Sequence, residues 1–389
     1  MYQEEADRFR LLGHDESAGF GKASQVEISK GYAFVAGAGA YDGGTEGFTV
    51  HDVRDPGRIQ KVAEFRSPAG IHSHKLRIVH DDLLYLLGER LRSEEGGKAR
   101  AGLFIFDIST PSQPKQVGFF DMPGGGPHRF SVDNERSLAF LPNEAEGWNH
   151  RVVWTLNTSD PIRPQVVSIW GLPEQNTAKV GPPPEGEPPD AVFSVHGPPV
   201  TRGNRMFFGM LKGGAAIVDC TDLGNMQLVS RVCWSPPFPG VTHTVCPIGD
   251  QPYMVVTDEG SRRRKYWDSQ FVWIIDIREQ QNPVPITTWF PERKKYFERE
   301  GRFGAHNILE TIPAEGPWAN TVFITYYNAG LRAVDVSDPL RPVERGFYVP
   351  AVPSGQKNIQ STDIGADEKG LLYLTDRWGA GMHVLEYQG

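Results

Sequence analysis

The sequence predicts an all-β fold built from one repeated four-stranded unit, on three observations. Short apolar runs are separated by Gly, Pro, Asn and Asp clusters, in a chain with 43 glycines and 31 prolines among 389 residues. No apolar-periodic stretch is long and clean enough to make a convincing helix. The third observation is repetition: "GLFIFDISTPSQPKQVGFFDMP" (Gly102 to Pro123) runs parallel to "GLRAVDVSDPLRPVERGFYVP" (Gly330 to Pro350). Each reads as an apolar strand ending in Asp, a turn carrying Ser or Thr and Pro, and a second strand ending at Pro. Asp accepts hydrogen bonds from the turn backbone, and Pro presets φ at its first corner.

The same hairpin returns as "GFTVHDVRDPGRIQKVAEFRSP", "RVVWTLNTSDPIRPQVVSIWGLP", "AAIVDCTDLGNMQLVSRVCWSP" and "FVWIIDIREQQNPVPITTWFP". Upstream of each lies another strand pair, typified by "HKLRIVHDDLLYLLGE" and "HTVCPIGDQPYMVVTDE". Four strands per unit, repeating at about 45 to 65 residues, is the pattern of propeller blades. Blades are expected to start near residues 24, 70, 125, 193, 241, 303 and 358, in a single domain spanning 1–389. The last unit shows only three strands: "STDIG", "GLLYLTD" and "GMHVLEY". "FRLLGHDE", at 9–16, has the character of the outer strands and is expected to complete it. That exchange closes the ring and removes open sheet edges. The expectation is a seven-bladed β-propeller.

"YYNAGLRAVDVSDPLRP" and its companion hairpins resemble the LVIVD-repeat family of β-propellers, over nearly the whole chain. The resemblance implies the fold; the family name describes a repeat and fixes no chemistry.

Aligning the units on their first strand gives Ser24, His74, His128, His196, His243, His306 and Ser361: five histidines from the 11 in the chain. The first strand of a propeller blade lines the central channel, so these imidazoles are expected to converge on the axis. Neutral imidazoles suit iron, copper, zinc or manganese. Second strands end in "LLGE", "LPNE" and "VTDE", which puts Glu89, Glu144 and Glu259 beside the histidines as orienting carboxylates. The logic matches that of the iron site in carotenoid cleavage oxygenases, also seven-bladed, as an architectural analogy only. The plain alternative is inheritance of a structural histidine from an ancestral unit, as in WD-repeat propellers. The series at the end of the third strand provides an internal control: Asp52, Asp107, Asn157, Asp219, Asp276, Asp335 and Glu386 fill all seven units and read as turn chemistry. The histidines, by contrast, are selective by blade.

His72, two residues before His74, points to the same face if extended. Tyr326 and Tyr327 follow the second strand of blade six, and Arg90 and Arg377 stand near the same rim. Tyr326 is a catalytic candidate; Tyr327, Arg90, Arg377 and His72 are candidates for holding substrate. His14, His51, His80, His150 and His383 read as structural or solvated. The Pro-rich insertion 173–190 is a possible lid, and "ERKKYFEREGRFGAH" a possible short helix over the same face. Cys246, close to His243, is a possible nucleophile or ligand, though most cysteines are packing residues.

The net charge of -8 argues against a nucleic-acid surface, and the local basic run "SRRRKYW" reads as a solvated loop. No apolar run spans a bilayer, the start lacks a secretory h-region, and three cysteines without metal spacing suit a reducing cytoplasm. No phosphate-binding glycine loop or GxSxG elbow is present. The expected function is a metal-dependent enzyme, foremost an iron(II) oxygenase acting on a small aromatic or unsaturated substrate. A lyase or hydrolase with Glu259 as general base is the second expectation, and a non-catalytic interaction scaffold the third. The oligomeric state is open.

Overall fold

The computed structural model describes residues 2–39, 44–93, 97–181, 193–234, 238, 241–260, 270–310, 316 and 318–389. Seven antiparallel sheets follow one another along the chain and form the seven blades of a propeller. Blade one is Ala23–Ser29, Tyr32–Ala38, Glu46–Asp52 and Gln60–Arg66, paired in sequence order from the axis outwards. Blades two to five repeat this order. In blade six the innermost segment pairs only locally, through His306 N to Thr325 O at 2.9 Å and Leu309 N to Phe323 O at 2.9 Å. Blade seven takes Ser361–Ala366, Leu371–Asp376 and Gly381–Tyr387, with Phe9–Asp15 as its outermost strand.

The blades share a signature that no propensity scale reveals. Between the third and fourth strands the pairing skips one residue of the outer strand: Val62, Val117, Val167, Val229, Ile286 and Arg345 in blades one to six. In blade seven the skipped residue is Leu12, on the N-terminal strand. The borrowed strand thus carries the same β-bulge as the native outer strands, and the bulge supplies the extra twist that lets blades fan out. The N-terminus also adds Glu5–Asp7 to the outer edge of blade six, pairing Ala6 with Tyr348. This second closure went beyond the sequence expectation.

Each sheet is covered on both faces, which is why strands such as "GLFIFD" are apolar without alternation. Seven apolar clusters fill the seven gaps between neighbouring blades, the last joining blade seven to blade one through Tyr373, Val384, Val26 and Val35. The Asp series closes turns as expected: Asp107 accepts from Ser109 N at 2.8 Å, Asp219 from Thr221 N at 2.9 Å and Asp335 from Ser337 N at 2.8 Å. Asn157 does the same for Ser159 N at 2.8 Å.

The innermost strands are irregular where the aligned position falls. Pairing slips at Ala23/Gln25, Thr242/Val245 and Ser361/Asp363, and the inner strand of blade two is interrupted over 73–75. Such breaks re-aim side chains, and here they turn the histidine positions toward the axis. No helix among the described residues is long and apolar enough to cross a membrane. The basic run 261–267 lies outside the described residues. So does the insertion from 182 onwards; its first part forms two short helical turns, Pro173–Gln175 and Thr177–Val180, beside blade three.

Candidate functional site

Six imidazoles and a phenol stand in one continuous arc around the axis. Ring centroids are 4.1 Å apart from His72 to His74, 4.9 Å from His74 to His128, and 4.8 Å from His128 to His196. The arc continues with 5.0 Å to His243, 4.4 Å to His306 and 4.9 Å to Tyr327. All five aligned histidines are therefore brought together, and His72 joins them. Burial, with the Arg129 guanidinium close by, holds the His74, His128, His243 and His306 imidazoles well below their usual range. His196 is also lowered by burial, against the opposing pull of Glu259. For the five aligned histidines this favours the neutral form, the state a metal requires of imidazole.

Carboxylates orient part of it. Glu89 accepts from His128 Nδ1 and from Arg151, each at 2.8 Å. Glu259 takes His196 Nε2 at 3.3 Å, the Tyr327 hydroxyl at 2.5 Å and the Arg302 guanidinium. Glu46, from the third strand of blade one, accepts from His72 Nδ1 at 2.9 Å and from Ser73 N at 2.6 Å. Burial alone would raise the Glu259 carboxyl, but Arg302 and the His196 hydrogen bond bring it well below the usual range. A carboxylate so stabilised is a weak proton acceptor, so the geometry favours an orienting role for Glu259 over that of general base.

The free nitrogens decide what the arc can hold. Among the described residues His74 has no hydrogen-bond partner at either ring nitrogen, and both are buried. His196 Nδ1 and His243 Nε2 are likewise buried and unpartnered. His243 Nδ1 pairs with Thr244 Oγ1 at 2.8 Å, and that hydroxyl lies 3.3 Å from the His306 carbonyl. A hydroxyl that donates to the carbonyl accepts from Nδ1–H, which leaves a bare lone pair on Nε2. Buried unpaired nitrogens are costly and rare, and they match the donor set of a transition metal. Ligand atoms of His196, His243 and Glu259 lie within 4.8 Å of one another, as do those of His72, His74 and Glu89.

Four of the expected residues are engaged elsewhere. His306 has both nitrogens engaged, Nε2 by Arg129 at 3.2 Å and Nδ1 by the Thr362 carbonyl at 2.5 Å, so it offers no lone pair. Glu144 is exposed and accepts from Gly125 N at 3.0 Å, away from any imidazole of the arc. Tyr326 turns into the core between blades five and six, its hydroxyl on the Gln270 carbonyl and its ring 5.0 Å from Phe303. Arg90 is exposed and reaches the Ala99 carbonyl at 2.8 Å. The strand ends at Thr325 and Tyr327 takes a left-handed backbone with φ 44°, which sends the two neighbouring rings in different directions. Cys246 is buried, donates to the Glu310 carbonyl at 3.1 Å, and burial pushes its thiol up, the reverse of what activates a nucleophilic cysteine. Of the remaining histidines, His51 pairs with Asp15 at 2.8 Å, His80 reaches the Thr158 carbonyl at 3.2 Å, and His383 stacks on His14 at 4.2 Å.

Sequence reasoning missed three arginines. Arg302 comes from the segment after the short helix Arg293–Tyr296, covers the Tyr327 ring at 4.2 Å and ties down Glu259. Arg151 fixes Glu89 and also lines a cavity of about 470 Å³ with Arg92, Trp148, His150 and Ser194. Arg129, only 4% exposed, lies within electrostatic reach of all five aligned histidines.

Comparison with known families finds the LVIVD repeat at residues 20–41, 98–122 and 320–349. These stretches fall in blades one, two and six and contain none of the arc histidines. No curated protein matches the chain.

Proposed function

We propose that this chain, an LVIVD-repeat β-propeller, is a metal-dependent enzyme whose divalent transition metal is held by His74, His128, His196 and His243. The observation that carries the reading is the set of buried imidazole nitrogens on His74, His196 and His243 that have no partner among the described residues. His128 joins them because its Nδ1 is committed to Glu89, which leaves Nε2 for a metal. Iron(II) is favoured, with copper, manganese and zinc as alternatives the same donors accept. When bound, iron(II) would supply a redox-active Lewis acid able to engage dioxygen and an electron-rich aromatic or unsaturated substrate.

The protein's own part is orientation and exclusion. Glu89 and Glu259 fix the rings of His128 and His196, and each carboxylate is steadied by its own arginine. Tyr327 closes one end of the arc, with its hydroxyl on Glu259. Burial of His74 and His243 keeps water from their nitrogens. The cavity beside Arg151 is large enough for a small organic molecule and presents Trp148 for stacking.

The test is metal analysis of the purified full-length protein, followed by aerobic and anaerobic incubation with electron-rich phenylpropenes and stilbenes. One transition-metal ion per chain and oxygen-dependent turnover support the reading. An absence of stoichiometric metal after expression in iron-supplemented medium would refute it and leave the interaction scaffold.

A further inference from the structure

We propose that Arg129 and Arg377 form an anion subsite within the histidine arc that takes the carboxylate of a small organic acid. The proposal rests on the arc being the substrate site and adds the chemical class of what it binds.

Arg129 is a buried charge with no ion pair among the described residues. It is almost fully buried, and among the described residues its Nε has no hydrogen-bond partner and its one polar contact is the lone pair of His306. A guanidinium taken out of water without a counter-ion is strongly destabilising. The nearby carboxylates are already committed. Glu89 is held by Arg151 and His128, and Glu259 by Arg302, Tyr327 and His196. Glu46 serves His72 and the Ser73 amide.

Arg377 adds to the excess. It makes no ion pair among the described residues, and Tyr327, Arg302, Glu46 and Glu259 are its electrostatic neighbours. Arg129 and Arg377 also act on one another, and both act on His74. Two guanidinium charges therefore act on one imidazole, and a bound metal would make the region more positive still. An anion entering there relieves both repulsions at once. The Nε edge of Arg129 is planar, and such an edge fits the two oxygens of a carboxylate. The described residues place no helix N-terminus at the arc to cradle a tetrahedral phosphate.

Calorimetric titration of the full-length protein, as purified and after chelation, tests this with acetate and benzoate against acetamide, benzamide and inorganic phosphate. The expected result is one site per chain for a carboxylate, at least tenfold tighter than its amide or phosphate. Arg129→Gln and Arg377→Gln should each lose at least tenfold in carboxylate affinity while keeping the circular dichroism of the parent. Arg129→Lys should retain part of it. Should Arg129→Gln fail to fold, Arg377→Gln decides alone. Equal binding of amide and acid, preference for phosphate, or unchanged carboxylate affinity in the folded variants overturns the subsite. Metal content measured on the same samples separates the two readings. Metal without carboxylate binding removes only the subsite, and carboxylate binding without metal removes only the metal centre.

Discussion

Arg129 Nη2 donates to His306 Nε2 at 3.2 Å, and the opposite nitrogen of that ring donates to the Thr362 carbonyl at 2.5 Å. The two bonds fix one neutral tautomer and consume the lone pair that a metal would need. His306 is thereby set apart from the four histidines before it, although the repeat alignment makes all five equivalent. His243→Ala and His74→Ala should abolish stoichiometric metal binding, while His306→Ala retains it. Elemental analysis of the three purified variants checks this, and a His306→Ala protein as empty as His243→Ala would put His306 back among the ligands.

Glu89 carries the matching second-layer prediction. It takes no part in the proposed ligand set, yet it holds the His128 ring at 2.8 Å and is itself held by Arg151. Glu89→Gln should weaken metal affinity by about 10–100-fold without emptying the site at saturating metal, as loss of an orienting carboxylate does elsewhere. Competition with a chromogenic chelator measures the shift.

Glu259 stabilises the fold through its charge. Its carboxyl lies well below the usual range in the folded chain, so the folded state binds that proton more weakly than the unfolded state does. The contribution is complete above the ordinary carboxylate range and is lost as pH falls through the depressed folded value. Glu259→Gln should lose stability near pH 7, toward the lower end of about 3–5 kcal/mol because both partners are partly exposed. Its acid limb should also be shallower than that of the parent. Urea midpoints between pH 3 and 8, for parent and variant, report both effects.

Lys75 gives the opposite slope. Its ammonium is buried against Asp363 at 3.3 Å, and burial, with Arg129, Arg77 and Arg377 nearby, brings it down to about 7. Between that value and the ordinary lysine range the unfolded chain binds more protons than the folded one, so stability rises with pH. In Lys75→Met the rise between pH 7 and 10 should vanish. Chemical denaturation across that interval is the measurement, and a parent curve that is flat or falling there contradicts the assignment.

The fold was legible because each blade repeats its own local chemistry: the Asp-closed turns at Asp107 and Asp335 and the two-sided apolar strands can be read from one unit and checked in the next. The histidines were legible for the same reason. The arginines were not. Alternation assigns Arg129 to the face opposite its neighbour His128, but the inner strand of blade three begins only at Ser131, so both side chains reach the axis. Arg302 arrives on an excursion between blades, where the repeat offers no register. Glu144 fails as an analogue of Glu89 because the Gly125 amide captures it first. Repeat logic locates equivalent backbones, and the irregular segments decide which side chains use them.

The N-terminal strand offers a test of closure independent of the site. Phe9 is buried between blades six and seven, 5.0 Å from Tyr387 and 6.3 Å from Phe323, and Phe9–Asp15 covers the edge of Gly381–Tyr387. Phe9→Ala should cost about 3–5 kcal/mol, as loss of a buried aromatic typically does. Removal of residues 1–16 goes further, because it uncovers the backbone edge of Gly381–Tyr387 and, with Glu5–Asp7, that of Val343–Val349. Exposed edges recruit other chains. The truncated protein should therefore lose thermal stability and associate on heating, while Phe9→Ala remains monodisperse with its metal content unchanged. Light scattering during thermal melts distinguishes the two. A truncated chain that melts like the parent would mean that the seven apolar interfaces alone hold the ring closed.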